Sequence, residues 1–204
     1  MNPVLAFARS RDLPRAAAAS LAVAVAAVVF TGTQVDFPDF RYLVDFSIPV
    51  AAVAPVAYAV VLGTTFHSPM ADLEHTAAQP MPGYRRLHLV ALTVLAVVLS
   101  ALPVLAGLPA EVFAASARNA VGYLGLAVIS ARLFGSGLAW LLPLGSFGPT
   151  LLLGVGPDST PEFWAWSIEA PGDAPALAIA AALWLTAHLL PAPPPRQDDR
   201  AEAP

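Results

Sequence analysis

Residues 87–108 read LHLVALTVLAVVLSALPVLAGL, twenty-two positions without one Asp, Glu, Lys or Arg. A helix that crosses a bilayer needs about 20 mostly apolar residues, because each residue advances it only about 1.5 Å through a hydrocarbon layer about 30 Å thick. This stretch meets that length. Tyr84, Arg85 and Arg86 stand just before it, where an aromatic ring and cations anchor a span at the headgroups.

Five further apolar stretches flank it: 16–32, 46–64, 112–134, 138–156 and 174–191. The fourth and fifth spans in chain order are separated only by Gly135-Ser136-Gly137, which reads as a tight helical hairpin because glycine ends helices well. The reading is an all-α, polytopic membrane protein with six transmembrane helices over residues 16–191. A cytoplasmic interfacial segment, 1–15, precedes them. Residues 192–204, proline-rich and then charged, form a tail predicted to be disordered.

Composition supports this class. Of 204 residues, 57% are apolar and 12% charged, and the mean hydropathy is +0.68. Ordinary soluble domains are about one quarter charged. Disorder of the whole chain is excluded, since it needs low hydrophobicity and high net charge. The net charge of −4 is too weak and of the wrong sign for an electrostatic nucleic-acid partner. Cysteine is absent, which removes disulfides and thiolate metal sites. All ten basic residues are arginines. Without lysine there is no P-loop, so any ATP is bound by another chain and this one needs no cofactor of its own.

Arginine placement sets the orientation. With the N-terminus inside, Arg9, Arg11, Arg15, Arg85, Arg86, Arg132, Arg196 and Arg200 fall in inner segments, and only Arg41 and Arg118 in outer ones. That is a strong positive-inside bias, and it places both termini in the cytoplasm. Residues 16–32 also resemble the apolar part of a signal peptide, but Thr31-Gly32-Thr33-Gln34 offers no A-x-A-like cleavage site, so a retained span is expected.

Three connecting segments carry candidate function. In the inner loop 65–86, Ser68 suits an N-cap and Pro69 a first helical position, predicting a short helix over 69–78 that stops at Pro80-Met81-Pro82-Gly83. Met70, Leu73 and Ala77 share one apolar stripe, with Asp72 and Glu74 off it. Two readings stand: a helix lying on the membrane surface, or a coupling helix whose Met70, Asp72, Leu73 and Glu74 meet a cytoplasmic partner. The N-terminal stretch sets Val4, Phe7 and Ala8 beside Arg9, Arg11 and Arg15. It reads as an interfacial helix or a basic topogenic tail, with a bend at Pro14.

In the outer loop 157–173, Ser159 precedes Glu162 by three residues, a capping-box pattern that predicts a short helix carrying Phe163, Trp164 and Trp166. Its simplest role is an aromatic anchor at the interface, and the functional alternative is an external gate or lid. The outer loop 33–45, with Phe37, Phe40 and Tyr42, reads the same way.

Within the spans, Arg118 and Asn119 form a candidate intramembrane polar site near the outer start of the fourth. Arg118 is expected to snorkel outward or to pair with Glu111, seven residues earlier on the same face. Prolines 49, 55, 103, 143 and 149 predict kinks buried in protein. His67, His75, His88 and His188 show no zinc-binding spacing. Neither GSG at 135–137 nor GSFG at 145–148 makes a serine-protease elbow, and no intramembrane carboxylate pair is present. An enzyme is therefore not expected.

Three strings carry a family likeness: PMADLEHTAA at 69–78 followed by YRRL at 84–87, ARNAVGYLGL at 117–126 continuing to ARLFG at 131–135, and LAWLLP at 138–143. With the span arrangement, the chain resembles the permease subunits of type-2 ATP-binding-cassette (ABC) exporters, especially small actinobacterial membrane proteins of that kind. The resemblance implies a bacterial cytoplasmic membrane protein that exports a substrate using a separate ABC ATPase chain, which binds the ATP. It implies a permease homodimer or heterodimer in contact with membrane lipid, an N-terminal interfacial helix, a coupling helix between spans two and three, and short outer helices between spans five and six. The chain is small for such a permease and its coupling loop is brief. An accessory or structural membrane protein without transport activity is the alternative.

Overall fold

The computed structural model of the chain describes residues 3–38, 45–67 and 81–190. These residues are mostly helical, with one β-hairpin. Helix α1 (Pro3–Ser10) leads through Arg11 and Asp12 into α2 (Leu13–Val29). The bend falls at Asp12, which takes a left-handed conformation at φ 50°, and not at Pro14. Pro14 sits in the first turn of α2, where its missing N–H breaks no helical hydrogen bond. Ala16, Ser20, Ala24 and Ala27 form the buried stripe of α2, at helical spacing.

The connection after α2 departs from the all-α expectation. β1 (Gln34–Pro38) pairs antiparallel with β2 (Asp45–Pro49), with Val35 opposite Ile48 and Asp36 opposite Ser47. The Ser47 hydroxyl donates to the Asp36 carboxylate. Ile48 is buried and Ser47 exposed, the alternation of a strand with one covered face. The second span was expected from residue 46. Phe46 and Ile48 are instead alternate strand residues, and the helical run begins after Pro49.

That run is a one-turn 3-10 helix (Val50–Ala52), then α3 (Ala54–Gly63), then a second 3-10 turn (Thr64–Phe66). After it come α4 (Met81–Ser100) and the short α5 (Leu102–Leu105), with a break at Ala101 just before Pro103. The helix expected over 69–78 lies outside the described residues; Met81, Pro82 and Gly83, read as part of its stop, belong to the first turn of α4, where Pro82 lacks only an N–H that the helix would leave unbonded.

Helix α6 (Ala110–Phe134) ends at Gly135, whose φ of 98° suits glycine. A 3-10 turn (Ser136–Leu138) then leads into α7 (Leu141–Leu153). Ser130 staples this hairpin. Its hydroxyl donates to the Leu138 carbonyl at 2.6 Å and accepts from the Leu142 N–H at 3.3 Å. Helix α8 (Ala174–Leu189) is capped by Asp173, whose carboxylate accepts from the Ala176 N–H at 2.7 Å.

Three helical segments are long and apolar enough to cross a membrane: Gly83–Leu105, Ala110–Phe134 and Ser136–Leu153. Leu13–Val29, Val50–Phe66 and Ala174–Leu189 are apolar but shorter. Helix α6 is the centre of the bundle and packs against α3, α4, α7 and α8. Small residues on it make that approach close. A Cβ on Gly125 would lie 2.7 Å from the Leu183 carbonyl carbon of α8. Tyr58, Leu62, Leu92, Tyr123 and Leu124 are fully buried in the same core. The α4–α8 contact is tied by the Trp184 indole N–H, which donates to the Thr93 hydroxyl at 3.0 Å.

Candidate functional site

The far end of the bundle, where α6 begins and α8 is capped, holds the polar pair read from the sequence. Arg118 is only 4% exposed and Asn119 3%. Arg118 neither snorkels nor pairs with Glu111. Its guanidinium Nη1 donates to the Ala170 carbonyl at 2.8 Å, Nη2 to the Glu169 carbonyl at 3.0 Å and Nε to Asn119 Oδ1 at 3.1 Å. The Asn119 amide then donates to the Ser167 carbonyl at 2.6 Å. A buried cation is costly unless its donors are used, and here three of the five N–H groups are. Two consecutive α6 residues therefore hold the segment 167–170 by its backbone.

That segment belongs to the loop 157–173, which is not the short helix that was expected. Ser159 takes φ 62° and caps nothing. The N–H of Glu162, which a capping Ser159 would have to accept, donates instead to the Gly154 carbonyl at 2.8 Å. Val155 and Pro161 form an isolated bridge, and the Gly156 N–H donates to the Thr160 carbonyl at 2.8 Å. The Thr160 hydroxyl donates to Asp158 at 2.8 Å and holds that carboxyl below its ordinary range.

The three aromatic candidates separate. Trp166 is buried and packs on Tyr123 with ring centroids 5.1 Å apart; Tyr123 in turn meets Phe147 edge-on at 6.1 Å. Trp166 also covers Gly122, where a Cβ would collide with its ring. Phe163 is 85% exposed, and Trp164 is half-buried. Trp166 thus fills the end of the bundle, while Phe163 faces outward. The sequence reading missed Tyr123 and Gly122. Their signal was present: a glycine at 122 and another at 125 on one helix predict a face that something approaches closely.

The opposite end carries a second cluster, built on Phe7 of α1 and on Arg11 in the turn after it. The Arg11 guanidinium donates to the Phe66 carbonyl at 3.1 Å and the Thr65 carbonyl at 3.3 Å, and lies 4.5 Å from the Phe7 ring centroid. A cation at the last carbonyls of a helical run satisfies acceptors that the run leaves open. Phe7 also stacks with Tyr84 at 5.8 Å and meets His88 edge-on at 5.6 Å. The single hydroxyl hydrogen of Thr65 goes to the Leu62 carbonyl. His88 Nε2, 2.9 Å from that hydroxyl, must therefore carry a hydrogen and donate. His67 meets the Ser136 hydroxyl at 3.1 Å. The expected coupling residues Met70, Asp72, Leu73 and Glu74 lie outside the described residues.

Comparison of the chain with protein-family models, with curated proteins and with solved structures finds no match.

Proposed function

We propose that the chain is the permease subunit of an ABC exporter in a bacterial cytoplasmic membrane. It has six spans and both termini in the cytoplasm, and it works as a homodimer or heterodimer with a separate ATPase chain that binds ATP. One observation carries the reading. Helix α1 and the turn after it grip both described ends of the loop between α3 and α4: Arg11 of the turn holds the carbonyls of Thr65 and Phe66 before it, and Phe7 of α1 stacks on Tyr84 after it. A loop that must transmit force from a partner needs such a fixed base; a loop lying on lipid does not. In this reading Trp166 and the bonds from Arg118 close the outer end, and their release opens it.

The alternative, an accessory or structural membrane protein, is favoured by the seam at Gly125, where α6 packs directly on the α8 backbone. The test is recovery of an ATPase chain by crosslinked pull-down from native membranes, with Leu73→Asp as the probe. A coupling helix anchors through a few apolar side chains, and a buried aspartate there costs several kcal/mol (about 2–7 for an unpaired polar group). The expected result is ATPase recovery with the native chain and its loss with Leu73→Asp, with membrane insertion intact. No ATPase with either chain supports the accessory role.

A further inference from the structure

The α4–α6 seam ends in a cluster of arginines. Leu89 of α4 and Val128 of α6 are buried in one apolar cluster with Ala187. Residues four apart on a helix share a face, so one turn further along this antiparallel pair lie Arg85 on α4 and Arg132 on α6. Arg86, three residues from Leu89, shares that face of α4. Arg132 is half-buried, and its Nη1 is cut off from solvent without a hydrogen-bond acceptor. A cation in the last turn of α6 is favoured by the helix carbonyls, but those do not satisfy this nitrogen.

We infer that this seam binds a phosphate group: Arg132 supplies a fork of N–H donors from α6, and Arg86 a second cation from α4. Guanidinium groups bind phosphate oxygens in pairs, and an anion between like charges removes their repulsion. The surroundings favour the phosphate of an anionic phospholipid over a free ion. Leu87 and Leu133, next in sequence to Arg86 and Arg132, are 56% and 62% exposed, so apolar surface lies beside the cations where acyl chains would run. Arg85 adds charge to the seam, and the inference does not depend on its other contacts. Nor does it depend on transport, so it stands or fails apart from the permease reading.

The purified full-length chain in neutral detergent is offered phosphatidylglycerol, phosphatidylcholine or inorganic phosphate, and bound lipid is counted by native mass spectrometry. Phosphatidylglycerol should be retained in preference to phosphatidylcholine. Arg132→Gln should weaken that retention about tenfold, the loss of one charge-assisted bidentate contact. Arg86→Gln, at an exposed position where folding is not at risk, should weaken it less. Arg15→Gln, which removes an exposed arginine paired with Asp12, should leave it unchanged. Displacement of the lipid by millimolar inorganic phosphate would support the phosphate site and assign it to a soluble ligand. Equal retention by the native chain and both seam variants, equal retention of the two lipids, or equal losses with Arg15→Gln would overturn the inference.

Discussion

The Trp166 ring lies 5.1 Å from the Tyr123 ring, tilted 45° to it, and lies over Gly122 where no side chain intervenes. A loop residue has thus become part of the helix core. The tight α6 surface and the large ring are two halves of one fit.

Removing the ring should therefore cost as much as a core truncation. Trp166→Ala is expected to destabilise the bundle by about 3–5 kcal/mol, because it leaves a cavity against Tyr123 and Gly122. Phe163→Ala, three residues away but largely exposed, should change stability by no more than about 0.5 kcal/mol. Thermal unfolding in detergent, followed through the remaining tryptophans, checks the pair. Equal effects would mean that the loop does not plug the bundle.

Arg118 should matter through its fork and not only through its charge. Arg118→Met leaves the carbonyls of Glu169 and Ala170 without their donors, at about 1–3 kcal/mol for a group left unpaired. Arg118→Lys keeps the charge but cannot span two consecutive carbonyls in fixed geometry, so it should rescue only part of the loss. Limited proteolysis between residues 157 and 173 reads this directly: faster cleavage in the order Met, then Lys, then native. A lysine variant as protected as the native chain would show that charge alone holds the loop.

The proposed orientation has its own check. Single cysteines at Glu162 and Gln197, introduced into a chain that has none, should differ in intact cells. Position 162 should react with an impermeant maleimide from outside, and position 197 only after lysis. The reverse pattern would invert the bundle and remove the basis for placing an ATPase at the α1 end.

Apolar length and glycine punctuation made most of the helices legible. The helix read over 112–134 is Ala110–Phe134, and the three-residue break after it is a stapled hairpin. What failed were segments where apolar content and periodicity disagree. Phe46 and Ile48 look like span residues by content, yet they alternate with Asp45 and Ser47 and pair as a strand. Ser159 and Glu162 have capping-box spacing, but Glu162 has already given its N–H to Gly154. Arg118 was legible as an uncomfortable charge. Its partners were not, because they are backbone carbonyls of Glu169 and Ala170, which carry no side-chain signature.

That separation also sets an order of events during biosynthesis. Ribosomes make the chain from its N-terminus, so Arg118 emerges 51 residues ahead of Glu169 and 52 ahead of Ala170. Until then the nascent α6 carries a cation whose neighbour Asn119 supplies one acceptor, and a bilayer around it would leave the other donors dependent on water. A chain that stops before residue 169 lacks both carbonyls that the guanidinium grips. The same arginine therefore locks the bundle only once the last loop has been made.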